Sequence, residues 1–352
     1  MSRQLILNGY RISDDSDCFV VAEIGHNHQG SLEKAKEMFR IAKECGVNAV
    51  KLQKRDNRSL YTRAMYNKPY DTENSFGSTY GEHREALEFG RNEFIELKKY
   101  AAELSLTMFA TVFDFSSADF MAALDMPAYK IASGDLKNTP LLKYVAQIGS
   151  PLIVSTGGGT IEDVQRAYDT IMPLNPQLCL LQCTASYPAE PDDMNLRVIT
   201  TYRERFPDVV VGLSDHQNGI AMSMIAYSLG ARVIEKHFTL NRAWKGTDHA
   251  FSVEPIGMRK MVRDLRRARV ALGDGVKKPL PVETIPLFKM GKKLVAARRL
   301  SAGHVLTRDD VAIKSPNDGL PPYELERVIG RVTVRPLQED EKITFDDLGE
   351  CR

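Results

Sequence analysis

The sequence predicts an α/β fold, a (β/α)8 barrel followed by a small second domain. Three observations lead there. Between residues 18 and 275, eight short apolar runs alternate with longer segments whose apolar residues recur at helical spacing. The order is strand then helix throughout, as parallel strands joined by crossover helices require. After residue 273 the rhythm stops in a stretch rich in proline and glycine. Eight such pairs in about 260 residues is the content of a barrel. A doubly wound open sheet is the alternative reading of the same alternation.

Each element has its own signal. The strand candidates are CFVVAEI (18–24), NAVKLQ (48–53), LTMFAT (106–111), AYKIAS (128–133), PLIVST (151–156), LCLLQCT (178–184), VVVGLS (209–214) and RVIEKHF (232–238). The first helix is SLEKAKEMFRIAKECG, where Ser31 is placed to cap the start and Gly46 to close the end. FIELKKYAAELS, ADFMAALD, LLKYVAQIG, IEDVQRAYDTIM, LRVITTYRERF, AMSMIAYSLG and MRKMVRDLRRARVALG follow, each with an apolar stripe beside a charged face. Residues 54–91 interrupt the rhythm between the second strand and its helix. That insertion lies on the face where barrel enzymes keep their sites, and it carries TYGEHREALEF, with polar and aromatic side chains to offer a ligand.

The expected division is a barrel over 1–275, a linker over 276–290 within GDGVKKPLPVETIPLF, and a compact domain over 291–352. Within the last, VAARRLSAGHVLTRDDV (295–311) and VTVRPLQEDEKITFDDL (332–348) superpose without gaps at an offset of 37, pairing Val295 with Val332, Leu300 with Leu337 and Thr307 with Thr344. Two copies are too few for a solenoid and suggest short strands related by a pseudo-twofold axis.

A formal net charge of +1 gives no reason to expect nucleic acid or a membrane surface as partner. No apolar run reaches the ~18–20 residues that cross a bilayer, and MSRQLILNGYRISDDSD has no signal-peptide core, so a cytoplasmic protein is expected. The five cysteines, Cys18, Cys45, Cys179, Cys183 and Cys351, form no CxxC pair, against a disulfide framework or a zinc site.

In a barrel the carboxyl ends of the strands face the site. Those ends carry Glu23, then Lys51 and Gln53, then Thr111, then Lys130 and Ser133. Ser155 and Thr156, Gln182 and Thr184, Ser214 and His216, and Glu235 and His237 complete the circle. Lys51 and Lys130 with Thr111, Ser133, Ser155 and Ser214 make a ring of cationic and hydroxyl donors suited to a small anion bearing phosphate and carboxylate groups; a solvated or ion-paired lysine is the plain alternative. His216 and His237 end adjacent strands, about 4.8 Å apart, and so can share a divalent ion such as Mn²⁺, or else simply hydrogen-bond at a loop edge. STGGGT (155–160) offers backbone amides to an anion, or is a tight turn. Glu23 can serve as a general base, an orienting group or a carboxylate behind a metal. His26 and His28 are placed in structural hydrogen bonds.

AEIGHNHQG, AVKLQK, PAYKIASGD, STGGG, QCTASYP, GLSDH, EKHFT and KGTDHAFS, taken in order, resemble the motifs of the sialic acid synthase family across nearly the whole chain. Residues 291–352 are similar to the antifreeze-like (SAF) module of those enzymes. The resemblance implies condensation of phosphoenolpyruvate with a sugar aldehyde to a nonulosonic acid. It implies that Lys51, Thr111, Lys130, Ser133, Ser155 and Ser214 hold phosphoenolpyruvate, that Glu23, Lys51 and Lys130 are catalytic, and that Glu23, Tyr187 and Asp248 lie on the sugar side. His216 and His237 would bind the metal, Mn²⁺ with Mg²⁺ or Co²⁺ as alternatives. A homodimer is implied, the C-terminal module of one subunit covering the barrel mouth of the other.

Two departures bear on the acceptor. Many bacterial members that use a free N-acetyl sugar carry Asn where QCTASYP has Ala185, and an Arg that addresses the N-acetyl group where IKSPNDG has Ser315. NKPYDTENSFGSTYGEHREALEF and KGTDH instead resemble the vertebrate-type synthases, so a hexose 6-phosphate (mannose 6-phosphate or N-acetylmannosamine 6-phosphate) is the expected acceptor and a 9-phosphate the product. Arg63, Lys68, His83 and Arg84 are available in the insertion for that phosphate. Two rivals stand beside this reading: a carbohydrate- or ice-binding protein acting through its C-terminal module, and an aldolase forming a Schiff base on Lys130.

Overall fold

The computed structural model describes residues 3–350. The chain divides into two compact units at Gly273 and Asp274. In the first unit, eight parallel strands close on themselves: β3 (Phe19–Glu23), β4 (Ala49–Lys54), β5 (Thr107–Val112), β6 (Tyr129–Ile131), β7 (Leu152–Ser155), β8 (Leu178–Cys183), β9 (Val210–Asp215) and β10 (Val233–His237). β10 pairs with both β9 and β3, so the sheet has no edge, and the open doubly wound alternative is excluded. Apart from the carboxyl end of β4, the strands are buried along their length because helices cover the outside and side chains fill the inside.

The first helix spans Leu32–Cys45. Ser31 accepts a hydrogen bond from the Lys34 N–H, and Gly46 at φ 87° ends it in the left-handed region, where a side chain would be strained. Its buried face is Ala35, Met38, Phe39, Ala42 and Cys45, the four-and-three spacing of an amphipathic stripe.

The N-terminal hairpin was not anticipated. β1 (Gln4–Leu7) and β2 (Tyr10–Ser13) form an antiparallel hairpin whose two-residue turn, Asn8 and Gly9, has φ of 48° and 83°. Positive φ at both positions is the requirement that Asn-Gly meets best. Leu5, Leu7 and Ile12 join Phe19, Val21, Ala49, Phe109, Ile153, Leu181 and Val233 in one cluster, so the hairpin packs on the barrel's interior side chains. Phe19, Ala49 and Val233 belong to the entrance halves of their strands, which leaves the carboxyl ends for the site.

The second unit starts before the expected domain boundary. The segment read as linker carries a 3₁₀ turn (Pro281–Glu283) and a helix (Thr284–Met290), with every residue from 281 to 290 exposed except Glu283. The rest is built around the internal repeat. β11 (Lys293–Ala296) and β12 (Val311–Lys314) pair antiparallel, and Leu300 and Leu337 exchange both backbone hydrogen bonds, at 2.9 and 3.0 Å. Equivalent residues of two repeats pairing with each other is what a pseudo-twofold axis produces. The turns match as well. Thr307 and Thr344 donate to Asp310 and Asp347, and those carboxylates pair with Arg298 and Arg335.

Candidate active site

The carboxyl ends of the eight strands open into a cavity of about 410 Å³. Its wall includes all eleven residues to which the family resemblance gives a role: Glu23, Lys51, Thr111, Lys130, Ser133, Ser155, Tyr187, Ser214, His216, His237 and Asp248. Strand alternation decides which neighbours take part. Glu235 and His237 line the cavity, while Lys236 between them points the other way, 3.1 Å from the buried Asp215, and donates to the Gln217 carbonyl. Lys236 is therefore not a polar neighbour at the mouth of the site. By the same alternation Thr156 bonds to the Leu181 carbonyl and Tyr202, Gln182 to the Met194 carbonyl and Thr184 to the Asp193 carbonyl. Those strand-end polar groups hold loops together.

At the cavity floor two ammonium groups and two carboxylates share one space. Lys51 Nζ lies 2.7 Å from Thr111 Oγ1, 2.7 Å from Glu23 Oε2 and 3.6 Å from Glu235 Oε1. Lys130 Nζ lies 2.6 Å from Ser155 Oγ and 3.8 Å from Glu235 Oε1, which also accepts from Ser214. All four charged groups are at most 4% exposed. Buried charge is tolerated here because each group has an opposite within reach.

The two carboxyls nevertheless differ. Burial pushes Glu23 up to about 6; the Lys51 ammonium opposes the rise, and the Glu235 charge adds to it. Burial resists ionisation of Glu235 too, but the Lys130 and Lys51 ammoniums outweigh it and hold that carboxyl below its usual range. Two carboxyls with values pushed apart by their surroundings divide the roles of proton carrier and fixed charge. Lys130 is moved down, chiefly by burial.

His216 donates its Nδ1–H to the Thr184 carbonyl at 2.8 Å, which leaves the Nε2 lone pair unused by that bond. The Nδ1 of His237 is buried without a hydrogen-bond partner and 3.6 Å from an Asp248 oxygen. Burial, reinforced by His216 and Lys51, holds His237 neutral, its pKa well below the ordinary value. The rings are 5.4 Å apart between centroids. Two imidazoles with open lone pairs fit a divalent cation. Among the described residues no cluster of three or more His, Cys, Asp or Glu side chains could hold one, so an ion held there would need water or substrate oxygen to complete its shell. Tyr187 lies over His216 at 4.2 Å.

Of the two readings of the glycine run, the structure favours the tight turn over the anion nest. Gly157 N–H is used by Ser133 Oγ and Gly159 N–H by the Thr156 carbonyl. A Cβ at Gly159 would lie 2.2 Å from Leu136, so close packing explains that glycine. His28 is structural as expected, accepting from the Gly30 N–H and stacking on Phe89 at 4.0 Å. Of the four basic residues offered for the acceptor phosphate, Arg84 lines the cavity; Arg63 and Lys68 are exposed, and His83 is buried against Tyr70. Sequence reasoning missed Arg55, Phe113 and Cys183, all in the wall. Cys183 alternates inward with Ser133 and His216 beside it, at 3.4 and 3.9 Å, a placement the strand period contained.

A closed parallel barrel with paired lysines, carboxyls and imidazoles converging at its strand ends is the architecture of a barrel enzyme. Residues 38–277 match the NeuB family and residues 293–349 the SAF domain. The chain is 40% identical to N-acetylneuraminate-9-phosphate synthase of Homo sapiens, covering 95% of this chain and 94% of the human one. It is 36% identical to N,N'-diacetyllegionaminic acid synthase of Legionella pneumophila over 92% and 93% of the two chains. The N-acetylneuraminic acid synthetase of Leptospira borgpetersenii superposes with a TM-score of 0.71 at 30% identity, over 81% of this chain and 95% of that one. The chain belongs to the NeuB family, the sialic acid synthases its motifs resemble.

Proposed function

We propose that the protein is a nonulosonic acid synthase that condenses phosphoenolpyruvate with a hexose 6-phosphate aldehyde, releasing inorganic phosphate and a nonulosonate 9-phosphate. The observation that carries it is the floor quartet of Lys51, Lys130, Glu23 and Glu235 ringed by Thr111, Ser133, Ser155 and Ser214, in a chain of the NeuB family. The ammonium groups and hydroxyls offer charge-assisted hydrogen bonds to phosphate and carboxylate together, without competition from bulk water. The higher identity to a 9-phosphate synthase than to the legionaminic acid synthase supports the phosphorylated acceptor.

The reaction forms a bond from C3 of the enol to the aldehyde carbon, leaving positive charge at C2. Water adds there, and the tetrahedral adduct breaks its C–O bond to phosphate. Lys51 and Lys130 balance charge on the phosphate and carboxylate through both steps, with Glu235 fixed between them. Glu23, held near 6, takes the proton of the attacking water at neutral pH and returns it to the oxygen derived from the aldehyde. Gln53 donates to its Oε1 at 2.8 Å, while Oε2 lies 2.7 Å from the Lys51 ammonium. His216 and His237 would hold Mn²⁺ or another divalent ion, which supplies Lewis-acid polarisation of the aldehyde.

A homodimer in the cytoplasm completes the reading. The exposed apolar side chains Val282, Ile285 and Met290 fit burial between two copies.

The test is phosphate release from phosphoenolpyruvate with Mn²⁺ and mannose 6-phosphate, N-acetylmannosamine 6-phosphate or free N-acetylmannosamine, with product mass recorded. Turnover of a 6-phosphate to a 9-phosphate product supports the reading. Turnover of the free sugar alone overturns the acceptor assignment.

A further inference from the structure

Beyond the floor quartet the cavity wall continues as a chain of hydrogen bonds, from Glu23 to Gln53 at 2.8 Å and from Gln53 to Arg55 at 2.6 Å. Arg55 then meets His26 Nε2 at 3.0 Å, and Arg84 meets His26 Nδ1 at 3.1 Å. Both guanidinium groups line the cavity. This stretch differs from the floor in charge. At the floor two ammoniums face two carboxylates. Along the wall, Arg55 and Arg84 are cations, and Glu88, which Lys54 also holds at 3.2 Å, is the only carboxylate within 4.0 Å of either among the described residues, 3.7 Å from Arg55. Arg84 has no carboxylate partner among the described residues; its Nε and Nη2 donate to the Tyr80 hydroxyl at 3.1 and 2.9 Å. Arg55 is only 7% exposed.

The His26 contacts carry a second mismatch. A neutral imidazole has one N–H and one lone pair, and here each ring nitrogen faces a guanidinium, a donor without a lone pair. One of the two contacts therefore sets donor against donor. Burial and the two arginines keep the ring neutral, its pKa well below the usual value. The site has positive charge in excess and one donor too many. Both are satisfied by one dianion with several acceptor oxygens, the description of a phosphate monoester.

We propose that Arg55 and Arg84 seat the phosphate group of the acceptor sugar, further along the wall than the phosphoenolpyruvate site at Lys51 and Lys130. The proposal rests on the synthase reading above and deepens it, since it locates the group that separates a phosphorylated acceptor from a free one. Arg84 is the residue to test, because it is bound only to His26 and Tyr80, whereas Arg55 also positions Gln53 and through it Glu23.

In the Arg84→Gln variant, KM for the 6-phosphorylated sugar should rise at least about 30-fold, while KM for phosphoenolpyruvate stays within about twofold. The preference for phosphorylated over free sugar should fall by the same factor as KM rises. A rise in the phosphoenolpyruvate KM alone would assign the pair to that substrate instead and overturn the proposal. So would an equal loss with phosphorylated and free sugar, which marks a structural role. Turnover of the free sugar alone by the unaltered enzyme refutes the phosphate seat and leaves the synthase reading standing. If no sugar is turned over, the synthase reading fails, and calorimetric titration with mannose 6-phosphate decides the seat separately. Binding by the unaltered protein that is lost in Arg84→Gln supports it, and no binding by the unaltered protein refutes it.

Discussion

Glu23 and Lys236 show how one position along a strand decides a side chain's fate. Both are buried and charged, yet one faces the cavity and the other the barrel's outer layer. For Glu23 the folded value of about 6 lies above the ordinary 4.5. The folded protein therefore keeps this proton to higher pH than the unfolded chain does, and the group withdraws stability as pH rises from about 4.5 to about 6. Activity moves the opposite way, since a base must be ionised. Glu23→Gln should lower kcat by roughly 10²–10⁴, and the acid limb of the unaltered enzyme's kcat/KM profile should fall near pH 6; a profile flat from 5 to 7 would remove Glu23 from the proton transfer. Lys236 is predicted to matter for stability. Lys236→Met leaves Asp215 without its ammonium partner, a loss of about 3–5 kcal/mol read by urea denaturation. Much of this was legible from sequence, because period-2 alternation within VIEKH sends Glu235 and His237 one way and Lys236 the other. Arg55 was not, for it lies just past the end of β4, where strand period no longer fixes direction.

At the level of elements, the helices followed from their stripes and caps, as Ser31 and Gly46 show, since those signals are local. The hairpin β1 and β2 is the instructive omission. QLILNGYRIS contains Asn-Gly between alternating apolar residues, and the four-residue strands are short enough to pass for an extended terminus. Its packing is nonlocal: Leu5, Leu7 and Ile12 meet side chains from strands up to more than two hundred residues away. No window of sequence contains that contact. Because Leu7 is fully buried in this cluster, Leu7→Ala should cost about 2–5 kcal/mol and lower the melting temperature of the barrel. The site lies at the other ends of the strands, so KM for phosphoenolpyruvate should stay unchanged. A large KM shift with little loss of stability would mean that the hairpin shapes the site rather than supporting the barrel.

Across the whole molecule, folding and catalysis draw on different parts of the chain, and metal removal separates them. The barrel core is assembled from apolar side chains on strands and helices, and the C-terminal unit has its own core in Leu294, Leu300, Leu306, Leu337 and Ile343. Neither core includes His216 or His237. Structural zinc sites differ, since four protein ligands there make binding energy into folding energy. Two imidazoles leave most coordination positions to water and substrate, so the ion should exchange readily. Dialysis against a chelator should therefore abolish turnover, and added Mn²⁺ should restore it, while far-ultraviolet circular dichroism and the melting temperature change little. His237→Ala should remain folded yet gain nothing from added metal. Loss of folded structure with the chelator would show that the ion holds the strand ends together, and turnover that survives exhaustive chelation would mean that Lys51, Lys130 and Glu23 suffice for the condensation.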